Sequence, residues 1–187
     1  MLDFLGQITR MDEVPRISLF PLRGDVVEYQ HQLALAYYKL LTKLDWDDEL
    51  FLAGTREGLN KFLSNAYITY LLRGRNKYHK TQLVSERALA KMEAGDYTGL
   101  VFEHLVPKAH YIQEECEKHA KEHTLTVEFV ENLLKRYWHL ATVTKDEDSL
   151  LNRNAMPEDW DGEDVQARYK RVGIELRENP FFSFTKP

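Results

Sequence analysis

The 187-residue chain has one cysteine, Cys116, which excludes an internal disulfide and any zinc site built from paired cysteines. No apolar run approaches the ~20 residues that cross a bilayer. There is no repeat and no low-complexity tract. P-loop, G-x-G-x-x-G, G-x-S-x-G and HExxH signatures are absent, so no nucleotide cofactor is expected, nor hydride transfer or serine hydrolysis. The opening "MLDFLGQITRMDEV" carries acids where a secretory or transit peptide would be basic. A cytoplasmic protein in a reducing compartment, with no membrane contact, is the expectation.

What is present is globular: 43% hydrophobic and 12% aromatic residues, in a chain long enough for one domain with a real apolar interior. The net charge of −5 is unevenly spread. Residues 73–80, "RGRNKYHK", are basic without an acid, whereas residues 146–164 hold eight acids against the single Arg153. Such polarity suits phosphate at one end and a basic partner at the other. The plainer reading is a pair of solvated faces.

Hydrophobic period predicts a mainly α (α+β) fold of about six helices with a small two- or three-stranded sheet. Residues 1–24 read as an irregular lead-in, with a short strand at "RISLF". Residues 25–95 read as a helical half, and 100–187 as the half bearing the candidate site. Asp25 offers an N-cap for a helix over 26–44, with Leu33, Tyr37, Leu40, Leu41 and Leu44 on its inner face. A second helix is expected from Thr55 to Gly74 after an acidic loop, and a third over about 81–94, stopped by Gly95. Strands are expected at 100–106 and 139–144, and helices at 109–122, 127–137 and about 164–172, with a short one in "DEDSLLNR". The apolar "NPFFSF" tail should dock, on its own core or on a partner.

The stretch that carries chemistry is "VFEHLVPKAHY", residues 101–111, where Glu103 and His104 interrupt an apolar strand. Acid-His-aliphatic-aliphatic-Pro resembles the opening of HNH (ββα-metal) nucleases. That resemblance covers about a dozen residues, and it implies His104 as general base and Glu103 as ligand of Mg²⁺ or Mn²⁺. His110 and Asn152 would complete the metal site, with Lys108 beside the phosphate. The family's orienting asparagine and its helix-borne His or Asn are not found at the usual close spacing. Strand alternation also sends adjacent side chains to opposite faces, so the pair needs a bend to serve one site. The structural alternative is that Glu103 pairs with an arginine and His104 with a main-chain carbonyl.

Three further constellations carry candidate chemistry. Glu115, His119 and His123 at spacing four would stack on one helical face as a zinc grip. Arg73-x5-His79 loosely resembles the Arg-His signature of HEPN-type ribonucleases. With Arg75, Lys77 and Lys80 the same stretch is a candidate phosphate-contact patch. Trp160, set among Asp159, Asp161, Glu163 and Asp164, is a candidate anchor for a basic protein. Cys116 lies among acids, which suits an inert thiol. Two functions are therefore expected: a metal-dependent nuclease of a defence, restriction or toxin system, or a non-catalytic acidic immunity, antitoxin or anti-defence protein that masks a basic partner.

Overall fold

The structure, a computed structural model, describes residues 26–71 and 76–182. The lead-in with its expected strand, the Asp25 cap, Arg73 and Arg75 lie outside the described residues. Helix α1 (Val26–Leu41) buries Tyr29, Leu33, Tyr37 and Leu41, four residues apart, as one stripe against α5 (Val127–Tyr137). Helix α2 spans Glu49–Asn65 and runs on as a π-helical stretch, Ala66–Leu71. It begins six residues before the expected Thr55, because the Asp48 carboxylate accepts the Phe51 N–H at 2.9 Å and caps it. The acidic loop runs up to this cap, and only its last acid, Glu49, enters the helix, where it meets the positive end of the helix dipole.

A 3₁₀ turn (Lys77–Lys80) leads into strand β1 (Leu83–Ser85), then α3 (Glu86–Glu93). Ser85 caps α3 through the Ala88 N–H at 3.1 Å, and Gly95 (φ +73°) leaves it in a conformation that favours glycine. The expected helix from residue 81 is thus corrected at its first turn to a strand. Strand β2 (Leu100–His104) follows, then α4 (Glu115–Lys121) behind a π-helical lead, Ala109–Glu114. After α5 come β3 (Leu140–Thr144) and α6 (Lys145–Asp148), closed by a Thr144–Glu147 capping box. The described chain ends through α7 (Ala167–Arg171), Gly173 (φ +71°) and β4 (Leu176–Glu178).

The fold is mainly α with an α+β sheet, and among the described residues that sheet has four strands, in the order β2-β3-β1-β4. β2 is antiparallel to β3, β3 parallel to β1, and β1 antiparallel to β4. β1 and β4 enlarge the two- or three-stranded sheet that the sequence suggested. β3, "LATVT", is buried throughout.

The two faces of the sheet are covered differently. One meets the helical core of α1, α2 and α5, where Trp138, Tyr37, Tyr67, Leu134 and Leu140 are fully buried. The other packs Leu105, Ala141 and Val143 against Tyr169 and Ile174. Of the tail, Phe181 packs beside the Val84–Met92 cluster and Phe182 on the helical core, so these residues dock on the chain itself. Among the described residues no helix is long and apolar enough to cross a membrane.

Candidate functional site

β2 pairs with β3 in unbroken register, Glu103 opposite Ala141 and His104 opposite Leu140. There is no bend. The two side chains therefore take opposite faces, as plain alternation requires. Glu103 shares its face with Val101 and reaches Arg168 of α7, whose Nη2 donates to its Oε1 at 3.1 Å. Arg168 is clamped: its Nε donates to the Leu105 carbonyl at 2.9 Å, and its two Nη atoms to the carbonyls of Asn152 and His104. Its side chain is 2% exposed.

His104 shares its face with Phe102 and belongs to the helical side. Its ring lies edge-on to Trp138, with centroids 4.7 Å apart, and its Nε2 is 3.3 Å from Ser64 Oγ. The buried Nδ1 finds no hydrogen-bond partner among the described residues. Burial, with Lys108 and Arg168 nearby, pushes the imidazole down to about 3. The expectation that Glu103 and His104 share one cation is corrected, because the straight strand separates them.

A stability consequence follows. Below its ordinary 6.5 the unfolded chain protonates His104, whereas the folded chain cannot until about pH 3. The unfolded state then binds the extra proton, so stability falls as pH falls through this window, by up to about 1.4 kcal/mol per pH unit. His104→Phe should flatten the pH dependence of the urea midpoint by close to one proton. Identical slopes for wild type and variant would contradict this account.

On the Glu103 face lies an open cleft of about 340 Å³, lined by Val101, Glu103, Pro107, Lys108, Asp148 and Arg153, with His104 and Ala109 also at its wall. Asp148 ends α6, the helix directly after β3, and is buried, with Oδ2 accepting from Arg153 Nη2 at 2.7 Å. Burial raises the Glu103 carboxyl, Arg168 opposes that shift, and the charge of Asp148 adds to it. Lys108 donates to the Asn60 carbonyl at 2.5 Å and to Gln113 Oε1 at 3.1 Å. Burial lowers its ammonium, against the pull of Glu103. Two carboxylates and two cations from separate elements thus converge on one opening.

The other expected ligands lie elsewhere. His110 is exposed with Nδ1 2.8 Å from Glu114 Oε2, a pairing within its own helical turn. Asn152 Oδ1 accepts the N–H groups of Asn154 and Ala155 at 3.0 and 3.3 Å, so it builds a turn. α4 ends at Lys121, and His123 (φ +56°) lies beyond it, while His119 bonds Thr124 at 2.9 Å and packs on Phe129. The zinc grip does not assemble, because the helix stops before its third member. Among the described residues no group of three or more His, Cys, Asp or Glu could hold a metal ion. Cys116 is buried and its thiol is pushed up to about 12 by burial and by Glu115 and Glu117.

In the basic stretch, Lys77 is exposed and sits 4.9 Å over the Tyr78 ring. His79 Nε2 lies 2.8 Å from the Tyr97 hydroxyl, and its ring stacks on Phe181 at 4.8 Å. Lys80 is buried and donates to the Ile68 carbonyl at 2.6 Å, which removes it from a surface phosphate patch.

The acidic loop is largely self-neutralised: Asp159 pairs with Arg171, Glu163 with Arg136 and Asp164 with Lys170. Asp161 accepts the Glu163 and Asp164 N–H groups at 2.8 and 3.0 Å. Trp160 donates to the Asp164 carbonyl at 2.8 Å and lies edge-on to Tyr111 at 5.2 Å.

Asp148, Arg153 and Arg168 were not singled out from sequence. Arg153 carried a signal as the one cation among eight acids. Asp148 carried another, sitting on a short helix right behind the second expected strand. Arg168 had none, since nothing local pairs it with Glu103. No family model, no curated protein and no solved structure matches this chain.

Proposed function

We infer that the chain is a divalent-cation-dependent phosphodiesterase acting on nucleic acid in the cytoplasm, and that the Glu103–Asp148 cleft is its site. The observation that carries this reading is the convergence of a strand-borne and a helix-borne carboxylate on one open cleft, with Lys108 and Arg153 beside them. β2, its antiparallel partner β3 and α6 run strand, strand, helix, the order that the resemblance to HNH (ββα-metal) nucleases leads one to expect. Here α4 and α5 lie between the two strands, so that order is interrupted, and His104, which carries the resemblance, packs its ring on Trp138 away from the cleft.

The donor set suits Mg²⁺ or Mn²⁺: two carboxylates are enough, because Mg²⁺ is usually held by one or two of them with waters and substrate phosphate. Such a cation supplies Lewis-acid polarisation of a phosphoryl oxygen. Glu103 and Asp148 would hold it. Arg153, at the mouth, pairs with phosphate oxygens. Lys108 has three donor hydrogens and uses two in the described bonds, leaving one for the substrate, and its lowered ammonium suits it to protonating a leaving oxygen. His104 has no part in this scheme, since its ring is on the other face. Less supports the acidic binding-protein alternative, because three of its acids already hold cations of the same chain.

Purified protein with Mg²⁺ or Mn²⁺ should cleave plasmid DNA or RNA. Glu103→Gln and Asp148→Asn should each lower the rate by about 100-fold or more, as expected for groups worth several kcal/mol at the transition state. Wild type and both variants equally inert, with urea midpoints intact, would end the reading.

A further inference from the structure

The two arginines that hold the cleft carboxylates are built differently. Arg168 is 2% exposed and fixed by three carbonyls besides Glu103, so it cannot leave. Arg153 is 69% exposed, and among the described residues it has one bonding partner, the 7% exposed Asp148. It is part of the 152–155 turn at the mouth of the cleft. The guanidinium is exposed and held by one bond, but the carboxylate that it neutralises is buried, so Arg153 leaves only when another cation takes its place. Arg153 and a cation in the cleft would therefore compete for the one Asp148 charge.

Resting on the phosphodiesterase reading, we propose that Arg153 is an exchangeable plug: it holds Asp148 while the cleft is empty of cation, and once displaced from that carboxylate it becomes a phosphate-binding arm. Binding is then ordered. The cleft with Arg153 in place offers one carboxylate already committed to Arg168 and another committed to Arg153. A divalent cation that takes Asp148 frees a guanidinium, whose planar fork matches a phosphodiester in geometry and charge. Nucleic acid gains its Arg153 contact only in the loaded state, which couples substrate binding to cation binding.

Two measurements test this. Titration calorimetry with MnCl₂ alone should show Arg153→Gln binding Mn²⁺ roughly threefold more tightly than wild type, because the competitor for Asp148 is gone. In EDTA, fluorescence anisotropy with a labelled duplex oligonucleotide separates exchange from plain loss of charge. There Arg153→Gln should leave wild-type binding almost unchanged, since Arg153 is occupied. The same substitution in an Asp148→Asn background should weaken binding and reduce the slope of log Kd against log salt by about one.

Equal weakening in both backgrounds would show that Arg153 is always free and overturn the plug, while leaving the phosphodiesterase reading intact. Unchanged Mn²⁺ affinity in Arg153→Gln would overturn it too. If wild type binds neither Mn²⁺ nor the oligonucleotide, the phosphodiesterase reading fails and the plug fails with it.

Discussion

Arg168→Met should lower unfolding stability by about 3–5 kcal/mol, the range found when one partner of a buried pair is removed and the other is left. Arg168 is the only described side chain that bonds α7 to the end of β2 and to the 152 turn at once, through the carbonyls of Leu105, His104 and Asn152 and the Glu103 carboxylate. Methionine fills much of the volume but donates nothing, so three carbonyls and a carboxylate lose their partner. The loss should also depend on pH. Burial already raises the Glu103 carboxyl, and without Arg168 nothing at 3.1 Å opposes that rise. A carboxyl whose folded pKa lies above its unfolded one stabilises the fold at low pH and ceases to as pH rises through the folded value. The deficit, read from urea midpoints, should therefore be larger at pH 8 than at pH 5. A deficit below about 1 kcal/mol would show that the clamp is dispensable.

Trp138→Ala should cost about 3–5 kcal/mol, by the loss of a large buried ring and the cavity that remains. Trp138 is fully buried at the junction of α5 and β3, edge-on to Tyr67 at 5.7 Å and to His104 at 4.7 Å. Trp138→Phe is the informative companion. The indole Nε1 has no hydrogen-bond partner among the described residues, so phenylalanine removes an unpaired donor while keeping most of the contact. Its cost should stay well below that of alanine, at about 1–2 kcal/mol, because phenylalanine leaves a much smaller cavity. If the phenylalanine variant falls as far as the alanine one, the core is selecting the indole shape and not its bulk. Urea unfolding followed by far-UV circular dichroism reads all three proteins without relying on the lost fluorophore.

Long, strongly periodic segments were legible from the sequence. The repeat of Leu33, Tyr37 and Leu41 gave α1, Val130 and Leu134 gave α5, a short apolar run gave β2 and a β-branched one β3. Their signal is local, since a stripe of period near four or two needs no knowledge of what it packs on. β1 and β4 escaped because three residues carry no period, and their identity as strands comes from neighbours 58 and 91 positions away, Leu83 facing Ala141 on one side and Leu176 facing Ser85 on the other in register.

The candidate site divides the same way. That Glu103 and His104 face apart was implied by alternation, and the regular β2–β3 register left that alternation intact. Which partners the two side chains then meet was decided by tertiary packing alone: Arg168, 65 residues on, for one, and Trp138 for the other. The pairing of Asp148 with Glu103 across a cleft likewise depends on α6 following β3 into the space beside β2. The chain's sequence set its helices, its two longer strands and the alternation of their side chains, because those follow from neighbours a few residues apart. Only the folded arrangement chose which charges share an opening and which ring the imidazole packs on, because those depend on elements that meet from distant parts of the chain.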